Sequence, residues 1–301
     1  MQLMPDALFN IFLYMSRRNI MEKAIIIGGG VGPMAGVELH RRIIEQTLTD
    51  GTDQSHLEVL HFSRSNDIVD RTEYLFGKVK GDPAEGMFRT FKMAYRALEG
   101  RDDESALQSS ARQNKFLENS AGNILHKPAV GGIPCNTFHA GKIFNRFIEL
   151  LKVAEIDIYI LNMIEETVKL IDAIAPKAYK IGLMSTTGTR RTGIYNEVLV
   201  PKGFNLIEIP EELQDELHDS IYNRKWGIKA VSPITVKART NFQIYAKILA
   251  DKGAEAIILG CTEIPIALPK PRFQEIPLID PMTALARGLI REANPDKLKP
   301  F

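Results

Sequence analysis

A weak internal repeat constrains the fold of this chain more than any other feature of its sequence. Residues 129–139 (AVGGIPCNTFH) and 256–265 (AIILGCTEIP) each contain a short apolar run that ends near a cysteine and continues with polar residues. Residues 24–33 (AIIIGGGVGP) and 180–189 (KIGLMSTTGT) are each an apolar run that breaks into small residues ahead of a helical pattern. Short apolar runs bounded by turn residues are typical of buried strands. The repeat therefore predicts two similar halves, each containing one cysteine.

Strand-like runs alternate with amphipathic stretches along most of the chain. Residues 83–98, for example, have Met87, Phe91, Ala94 and Leu98 at the spacing of one helix face. Such alternation favours parallel sheets flanked by helices. We therefore predict an α/β fold with two pseudosymmetric domains, each a mostly parallel sheet flanked by helices. The active site is expected in the cleft between them, because ligands of open α/β sheets bind at the carboxyl ends of the strands.

The same patterns predict where the domains begin and end. We expect an N-terminal extension at 1–20, a first domain carrying Cys135 at 21–155 plus 278–301, and a second domain carrying Cys261 at 156–277. Residues 100–127 are polar, are rich in Ser and Asn, and interrupt the alternation of strands and helices. We interpret them as an insertion in the first domain.

Charge and composition exclude several classes of partner. Lys plus Arg total 38 and Asp plus Glu total 37, so the net charge is +1. No overall field attracts nucleic acid or an anionic membrane, and we predict neither as a partner. No apolar run approaches the roughly 20 residues that span a bilayer. The apolar stretch at 8–15 is followed by Arg17 and Arg18, whereas a secretory signal has its positive charges before the apolar region. We therefore predict a cytoplasmic location.

The two cysteines, Cys135 and Cys261, are the strongest candidates for chemistry. Two cysteines in 301 residues make no disulfide framework, and His, Asp and Glu show no metal-ligand spacing, so we predict no metal. Each cysteine follows an apolar strand and precedes polar residues. A thiolate is a usable base near neutral pH and a thiol is a usable acid. Buried cysteines are often inert, but matched positions in a repeat favour a functional pair.

A glycine-rich turn and two polar segments leave alternatives open. Gly30-x-Gly32-x-x-Ala35 matches a dinucleotide-binding fingerprint, but Pro33 removes a backbone N–H and no acidic residue ends the next strand. A turn that approaches a small ligand closely is favoured instead. Arg71 is either a carboxylate-binding residue or a surface arginine. Residues 186–189 (TTGT) form either a carboxylate cradle or a helix N-cap.

Seven motifs together carry a resemblance to a known family. They are residues 28–36 (GGGVGPMAG), 70–78 (DRTEYLFGK), 134–139 (PCNTFH), 163–167 (MIEET), 180–189 (KIGLMSTTGT), 260–264 (GCTEI) and 277–282 (PLIDPM). In this order they resemble the aspartate/glutamate racemase family, and most closely its aspartate racemase branch. The resemblance implies two pseudosymmetric α/β domains, a homodimer, and catalysis without pyridoxal phosphate or any other cofactor.

The resemblance also implies a role for individual residues. Cys135 and Cys261 become the acid/base pair that transfers protons at Cα. The α-carboxylate of a small acidic amino acid is expected to bind Asn136, Thr137, the backbone of the following residue Phe138, and Thr186. Arg71 and Lys229 are expected to bind its side-chain carboxylate. Long additions around 100–127 and near Lys229 depart from the family pattern.

The function predicted from these residues is the interconversion of L- and D-aspartate by an isomerase that uses two cysteines. Three alternatives stay open at this point. The first is a different substrate, either glutamate or a broad set of amino acids. The second is a decarboxylase or isomerase of the same fold, and the third is a binding or structural protein that has this fold but no turnover. Two intact cysteines and the DRT motif at 70–72 argue against a one-cysteine lyase.

Overall fold

The computed structural model of the protein describes residues 21–99 and 127–301. The predicted N-terminal extension and nearly all of the predicted insertion lie outside these ranges. Within them, the chain forms two β-sheets with helices on both faces of each sheet. No helix in these ranges combines the length and apolar character needed to cross a membrane.

The first sheet contains four parallel strands in the order β2-β1-β3-β4. The strands are β1 (Ala24–Gly29), β2 (Val59–Ser63), β3 (Ala129–Gly132) and β4 (Ile158–Ile160). Four helices accompany them: α1 (Pro33–Gln46), α2 (Arg71–Leu75), α3 (Pro83–Glu99) and α4 (Gly141–Val153). Helix α1 starts at a proline, which is favourable there because the first helical N–H has no partner within the helix.

The second sheet contains five strands in the order β6-β5-β7-β9-β8. They are β5 (Lys180–Ser185), β6 (Asn205–Glu208), β7 (Ala256–Gly260), β8 (Arg272–Phe273) and β9 (Ile276–Ile279), and only β8 is antiparallel to its neighbour. The helices are α5 (Met163–Ile174), α6 (Thr187–Thr192), α7 (Ile194–Leu199), α8 (Gln214–Tyr222), α9 (Val236–Asp251), α10 (Ile264–Ala267) and α11 (Pro281–Ala293). The strands β6-β5-β7-β9 of this sheet follow the same order as β2-β1-β3-β4 of the first sheet, so β5 corresponds to β1 and β7 to β3. The predicted α/β class with mostly parallel sheets is confirmed.

Each sheet is buried on both faces. Ala24 and Ile26 of β1 face the core that includes Phe91 of α3, whereas Ile25 and Ile27 face the core shared with α1 and α11. Alternate side chains of a strand point to opposite faces, so a strand covered on both sides must be apolar throughout. This requirement explains why the strands were visible as continuous apolar runs.

Strand pairing places two chain segments differently from the predicted domain boundaries. Ile158 and Ile160 of β4 pair with β3, so this strand belongs to the first sheet although the second domain was predicted to begin at 156. Leu278 and Ile279 of β9 pair with β7, so β9 belongs to the second sheet. The chain was expected to pass back into the first domain at residue 278, but it leaves the second sheet only after β9. The domain boundaries stay a prediction, since only the sheet that each strand joins is observed. An apolar run shows that a strand is buried, but not which sheet it joins.

Candidate functional site

The two cysteines stand at the ends of equivalent strands, in the same local conformation. Cys135 follows β3, and Cys261 follows β7. The N–H of each cysteine donates to the carbonyl two residues earlier, at 2.9 Å for Cys135 and 2.8 Å for Cys261. The N–H three residues later donates to the carbonyl of each cysteine, at 3.1 Å in both cases. The sequence repeat therefore corresponds to a repeated turn that presents a thiol.

Both cysteines line one small cavity between the two halves. The cavity volume is about 20 Å³, which is room for about one water molecule. Of the eight predicted site residues, seven line this cavity: Arg71, Cys135, Asn136, Thr137, Thr186, Lys229 and Cys261. The structure thus brings together residues that are far apart in the sequence.

Phe138 is the predicted site residue that does not line the cavity. Its side chain is fully buried in the core of the first half and packs edge-on against Phe147, with 5.7 Å between the ring centroids. The short turn Asn136–His139 directs neighbouring side chains to different sides, and the apolar ring lies on the core side. The expected contribution of Phe138 is that of its main chain, and it stays a prediction.

Arg71 is held at the cavity by the local structure of the DRT motif. Asp70 caps α2, and its carboxylate accepts the N–H of Glu73 at 2.9 Å. The Nη2 of Arg71 donates to the carbonyl of Val31, in the glycine-rich turn, at 3.0 Å. Burial alone would lower the pKa of Arg71, but the charge of the nearby Cys135 sulfur raises it, so the guanidinium stays positive. Its buried Nε has no hydrogen-bond partner among the described residues.

Lys229, the second predicted cation, is already paired. Its ammonium contacts Oε1 of Glu263, and the exposed fractions of the two side chains are 23% and 9%. Burial opposes the charge of Lys229, but Glu263 raises its pKa. Burial likewise opposes the charge of Glu263, and Lys229 lowers its pKa. Both groups are therefore charged, and a ligand carboxylate that binds Lys229 must share it with Glu263.

Glu263 also makes the two cysteines different from each other. Its Oε2 accepts hydrogen bonds from Cys261 Sγ at 3.0 Å and from the Thr262 hydroxyl at 2.9 Å. Burial, followed by the Glu263 charge, raises the pKa of Cys261 well above its ordinary value. Cys135 is half-buried and stands near the Arg71 guanidinium. Cys261 is accordingly a thiol near neutral pH, with a proton available to give.

A set of hydroxyl and amide groups completes the cavity wall. Thr186 caps α6 by accepting the N–H of Thr189 at 3.3 Å, and it also lines the cavity, so the two alternatives for residues 186–189 do not exclude each other. The hydroxyls of Thr137 and Thr189 lie 2.9 Å apart and join the two halves. Asn136 Oδ1 accepts a hydrogen bond from the Tyr195 hydroxyl at 2.6 Å.

The glycine-rich turn approaches the Lys229–Glu263 pair closely. Gly32 has a φ of 130°, which favours glycine. A Cβ there would stand 3.4 Å from both Glu263 Oε1 and Lys229 Nζ. The space beside Gly29 is taken by His61, since a Cβ on this glycine would lie 2.6 Å from His61 Nε2. The turn is therefore shaped by its neighbours in the fold, including the ion pair at the cavity.

His139 supports the Cys135 turn through the main chain. Its Nδ1 lies 2.9 Å from the Cys135 carbonyl and donates to it. Burial lowers the pKa of His139 to about 4, so the ring is neutral at physiological pH. Within the described part of the chain, no three His, Cys, Asp or Glu side chains are grouped closely enough to hold a metal ion.

Glu263 and Tyr222 are among the cavity residues that were not assigned a role from the sequence. Glu263 follows Cys261 by two residues, and the acidic residue in GCTE, absent from the matching CNT segment, was the available signal. Tyr222 ends α8, and its ring centroid lies 5.3 Å from Lys229 Nζ. No pattern pointed to Tyr222, because it lies on a short polar helix that was not predicted.

Comparison with known proteins gives a family and a set of similar folds. The sequence profile of the Asp/Glu/Hydantoin racemase family matches residues 29–289. The aspartate racemase of Picrophilus torridus is similar in structure, with a TM-score of 0.67 and 25% identity over 92% of this chain and 96% of that one. An aspartate racemase homologue from Pyrococcus horikoshii OT3 has a TM-score of 0.59 and 21% identity, over 91% of this chain and 99% of its own.

Two further similarities are more limited. A putative Asp/Glu racemase from Yersinia pestis has a TM-score of 0.59 and 19% identity, with 91% of this chain and 99% of that one covered, which shows a shared fold. An uncharacterized protein in the pnlA 3′ region of Pectobacterium carotovorum subsp. carotovorum is 34% identical over 94 residues. That match covers 30% of this chain and 55% of the relative, so the chain spans about half the length of the curated relative it matches.

Proposed function

Because this chain belongs to the Asp/Glu/hydantoin racemase family, we propose that it interconverts L- and D-aspartate by proton transfer at Cα between two cysteines, without pyridoxal phosphate or a metal. The observation that carries the proposal is the pair of equivalent turns that present Cys135 and Cys261 to one cavity. The similarity to the Picrophilus torridus aspartate racemase supports aspartate as the substrate.

The two cysteines take opposite roles in each turnover. Cys135, beside the positive Arg71, acts as the base, and Cys261 acts as the acid because burial and the Glu263 charge keep its thiol protonated. One sulfur removes the Cα proton while the other supplies a proton to the opposite face, which inverts the carbon. In the reverse direction the roles exchange.

The remaining cavity residues bind the two carboxylates. Asn136, Thr137 and Thr186 hold the α-carboxylate, and their hydrogen bonds strengthen as it gains enediolate charge. Arg71 binds the side-chain carboxylate, and Lys229 shares its charge between that group and Glu263. One additional methylene in a pocket changes binding by only about 1–3 kcal/mol, so glutamate is expected to be a slower substrate.

The proposal is tested by following Cα exchange in heavy water. Purified protein is incubated with a panel of L-amino acids, and deuterium at Cα is measured by NMR together with the chirality of the product. We expect aspartate to exchange and racemise with a metal chelator present and no cofactor added. Cys135→Ala and Cys261→Ala should each lower the rate by about 10²–10⁴-fold, the usual contribution of one acid or base, while circular dichroism shows the folded state.

The same experiment separates the alternatives. Faster exchange of a neutral amino acid than of aspartate would replace the acidic substrate but keep the two-cysteine mechanism. Near wild-type turnover by either alanine variant would refute that mechanism. Loss of a carboxylate signal would indicate a decarboxylase, and binding without any turnover would indicate a ligand-binding protein. The homodimer and the cytoplasmic location stay predictions, and sedimentation measures the first.

A further inference from the structure

Asn136 has a buried donor that the protein itself leaves unsatisfied. The side chain is 3% exposed and lines the cavity between the cysteines. Its Nδ2 makes no hydrogen bond with any residue in the ranges 21–99 and 127–301. Buried amide N–H groups are nearly always paired, because an unpaired one loses its bonds to water and gains nothing. A polar group in the cavity, such as a carboxylate, would satisfy this donor.

The orientation of that amide depends on a residue of the other half. The Tyr195 hydroxyl, on α7, donates to Asn136 Oδ1 at 2.6 Å. Tyr195 is 1% exposed, and burial raises the pKa of its phenol, so the hydroxyl keeps its proton and stays a donor. A donor at Oδ1 fixes the oxygen on the Tyr195 side and leaves the NH₂ group for the cavity.

We infer that Tyr195 is a positioning residue that aims the Asn136 amide at a ligand carboxylate. Tyr195 does not line the cavity, so it acts only through Asn136. Without the phenol hydroxyl the amide is free to rotate by 180°. It would then present an oxygen to the carboxylate for part of the time, which is repulsive. The inference rests on the proposed function, because that function supplies the carboxylate that Asn136 binds.

Four proteins test the inference as a thermodynamic cycle: wild type, Tyr195→Phe, Asn136→Ala and the double variant. The measurements are the dissociation constant of succinate, by calorimetry, and the KM and kcat for L-aspartate. Tyr195→Phe should weaken succinate binding about tenfold, within the range for one hydrogen bond to a charged group. In the Asn136→Ala background the same change should alter binding less than twofold, since no amide is left to orient.

A matched control separates positioning from stability. Tyr245→Phe also removes a buried phenol hydroxyl from the second half, but the Tyr245 hydroxyl makes no hydrogen bond to Asn136. It should leave succinate binding unchanged. If Tyr195→Phe lowers the melting temperature yet binds succinate as the wild type does, or if its effect is as large in the Asn136→Ala background, the inference is overturned.

A measurement on the wild-type protein tests the inference without any tyrosine variant. The ¹⁵N side-chain amide signals of Asn136, assigned by their loss in Asn136→Ala, should shift when wild type is titrated with succinate. No shift at saturating succinate overturns the inference even if racemisation is observed. A wild type that binds succinate but racemises nothing refutes the proposed function alone, and one that binds no carboxylate refutes both.

Discussion

Cys135 and Cys261 occupy the same kind of turn, yet their surroundings differ. Cys261 is buried and donates to Glu263, whereas half-buried Cys135 has the Arg71 guanidinium nearby. Burial is the larger cause of the raised pKa of Cys261, and the Glu263 charge adds to it. Lys229 opposes that effect, so loss of Glu263 also releases a cation close to the thiol.

We expect Glu263→Gln to lower the pKa of the Cys261 thiol. At a fixed pH below that pKa, alkylation of Cys261 should become about tenfold faster or more, because a decrease of one unit in the pKa raises the thiolate fraction tenfold. Mass spectrometry of the iodoacetamide-labelled peptide measures the rate. Glu166→Gln is the control, since Glu166 is 3% exposed and paired with Arg291 but does not line the cavity. Equal Cys261 reactivity in both variants would show that Glu263 does not control the thiol.

His139 gives the folded protein a dependence on acid. Burial lowers its pKa from 6.5 to about 4. Between these two pH values His139 is protonated in the unfolded chain but not in the folded one. Stability is therefore lost as the pH falls from 6.5 towards 4. Between pH 7 and pH 5 the loss from this group should be about 2 kcal/mol.

The measurement compares urea unfolding of wild type and His139→Gln at pH 7 and pH 5. Every other titrating group is common to the two proteins, so the difference between their pH dependences isolates His139. The variant should be less stable at pH 7, because it replaces the ring packed against Phe144, but it should lose less stability on acidification. The same loss in both proteins would contradict the assigned pKa.

At the level of helices and strands, the sequence predicted what periodicity can reveal. The apolar runs of the repeat correspond to β1, β3, β5 and β7, the spacing at 83–98 corresponds to α3, and the repeated cysteine turns led directly to Cys135 and Cys261. Helix α8 was missed because most of its nine residues are polar, and Tyr222 was missed with it. The Lys229–Glu263 pair was missed because these residues are 34 positions apart, and no local pattern relates them.

The contact between α2 and α6 depends on a glycine. A Cβ on Gly188 would stand 2.5 Å from Thr72 Oγ1, which is closer than real contacts allow. Gly188→Ala should therefore push apart α2, which carries Arg71, and α6, which Thr186 caps. Small displacements of binding groups are costly in catalysis, so we expect kcat/KM for aspartate to fall roughly tenfold to a hundredfold.

The control for this prediction is Gly141→Ala. Gly141 is also at the start of a helix, and a Cβ there meets nothing closer than Asn145 Nδ2 at 3.5 Å. It should leave kcat/KM unchanged. Steady-state kinetics and thermal unfolding of both variants decide the question, and a fully active Gly188→Ala enzyme would show that the two helices tolerate separation.

For the molecule as a whole, the two sheets with the same strand order meet at a narrow cavity that is open on one side. At about 20 Å³ it holds about one water molecule. We therefore expect the two halves to move apart when a ligand enters. Hydroxyl contacts such as Thr137–Thr189 and the close approach of Thr72 to Gly188 are the contacts that must open.

Hydrogen exchange measures this opening. Succinate, by favouring the closed arrangement, should slow amide exchange in α2 (Arg71–Leu75) and α6 (Thr187–Thr192). Helix α9 (Val236–Asp251) packs in the core of the second half and should show no change. Binding of succinate with unchanged exchange in α2 and α6 would show that ligands enter without separation of the halves.

The carboxylate of Glu263 stands beside only one of the two sulfurs, and this inequality has a limit set by thermodynamics. Mirror-image amino acids have equal free energies, so the equilibrium constant of the proposed reaction is one. The ratio of kcat to KM must then be the same in both directions, however unequal the two thiols are. The asymmetry can appear only as a higher kcat for one enantiomer, accompanied by a KM that is higher by the same factor.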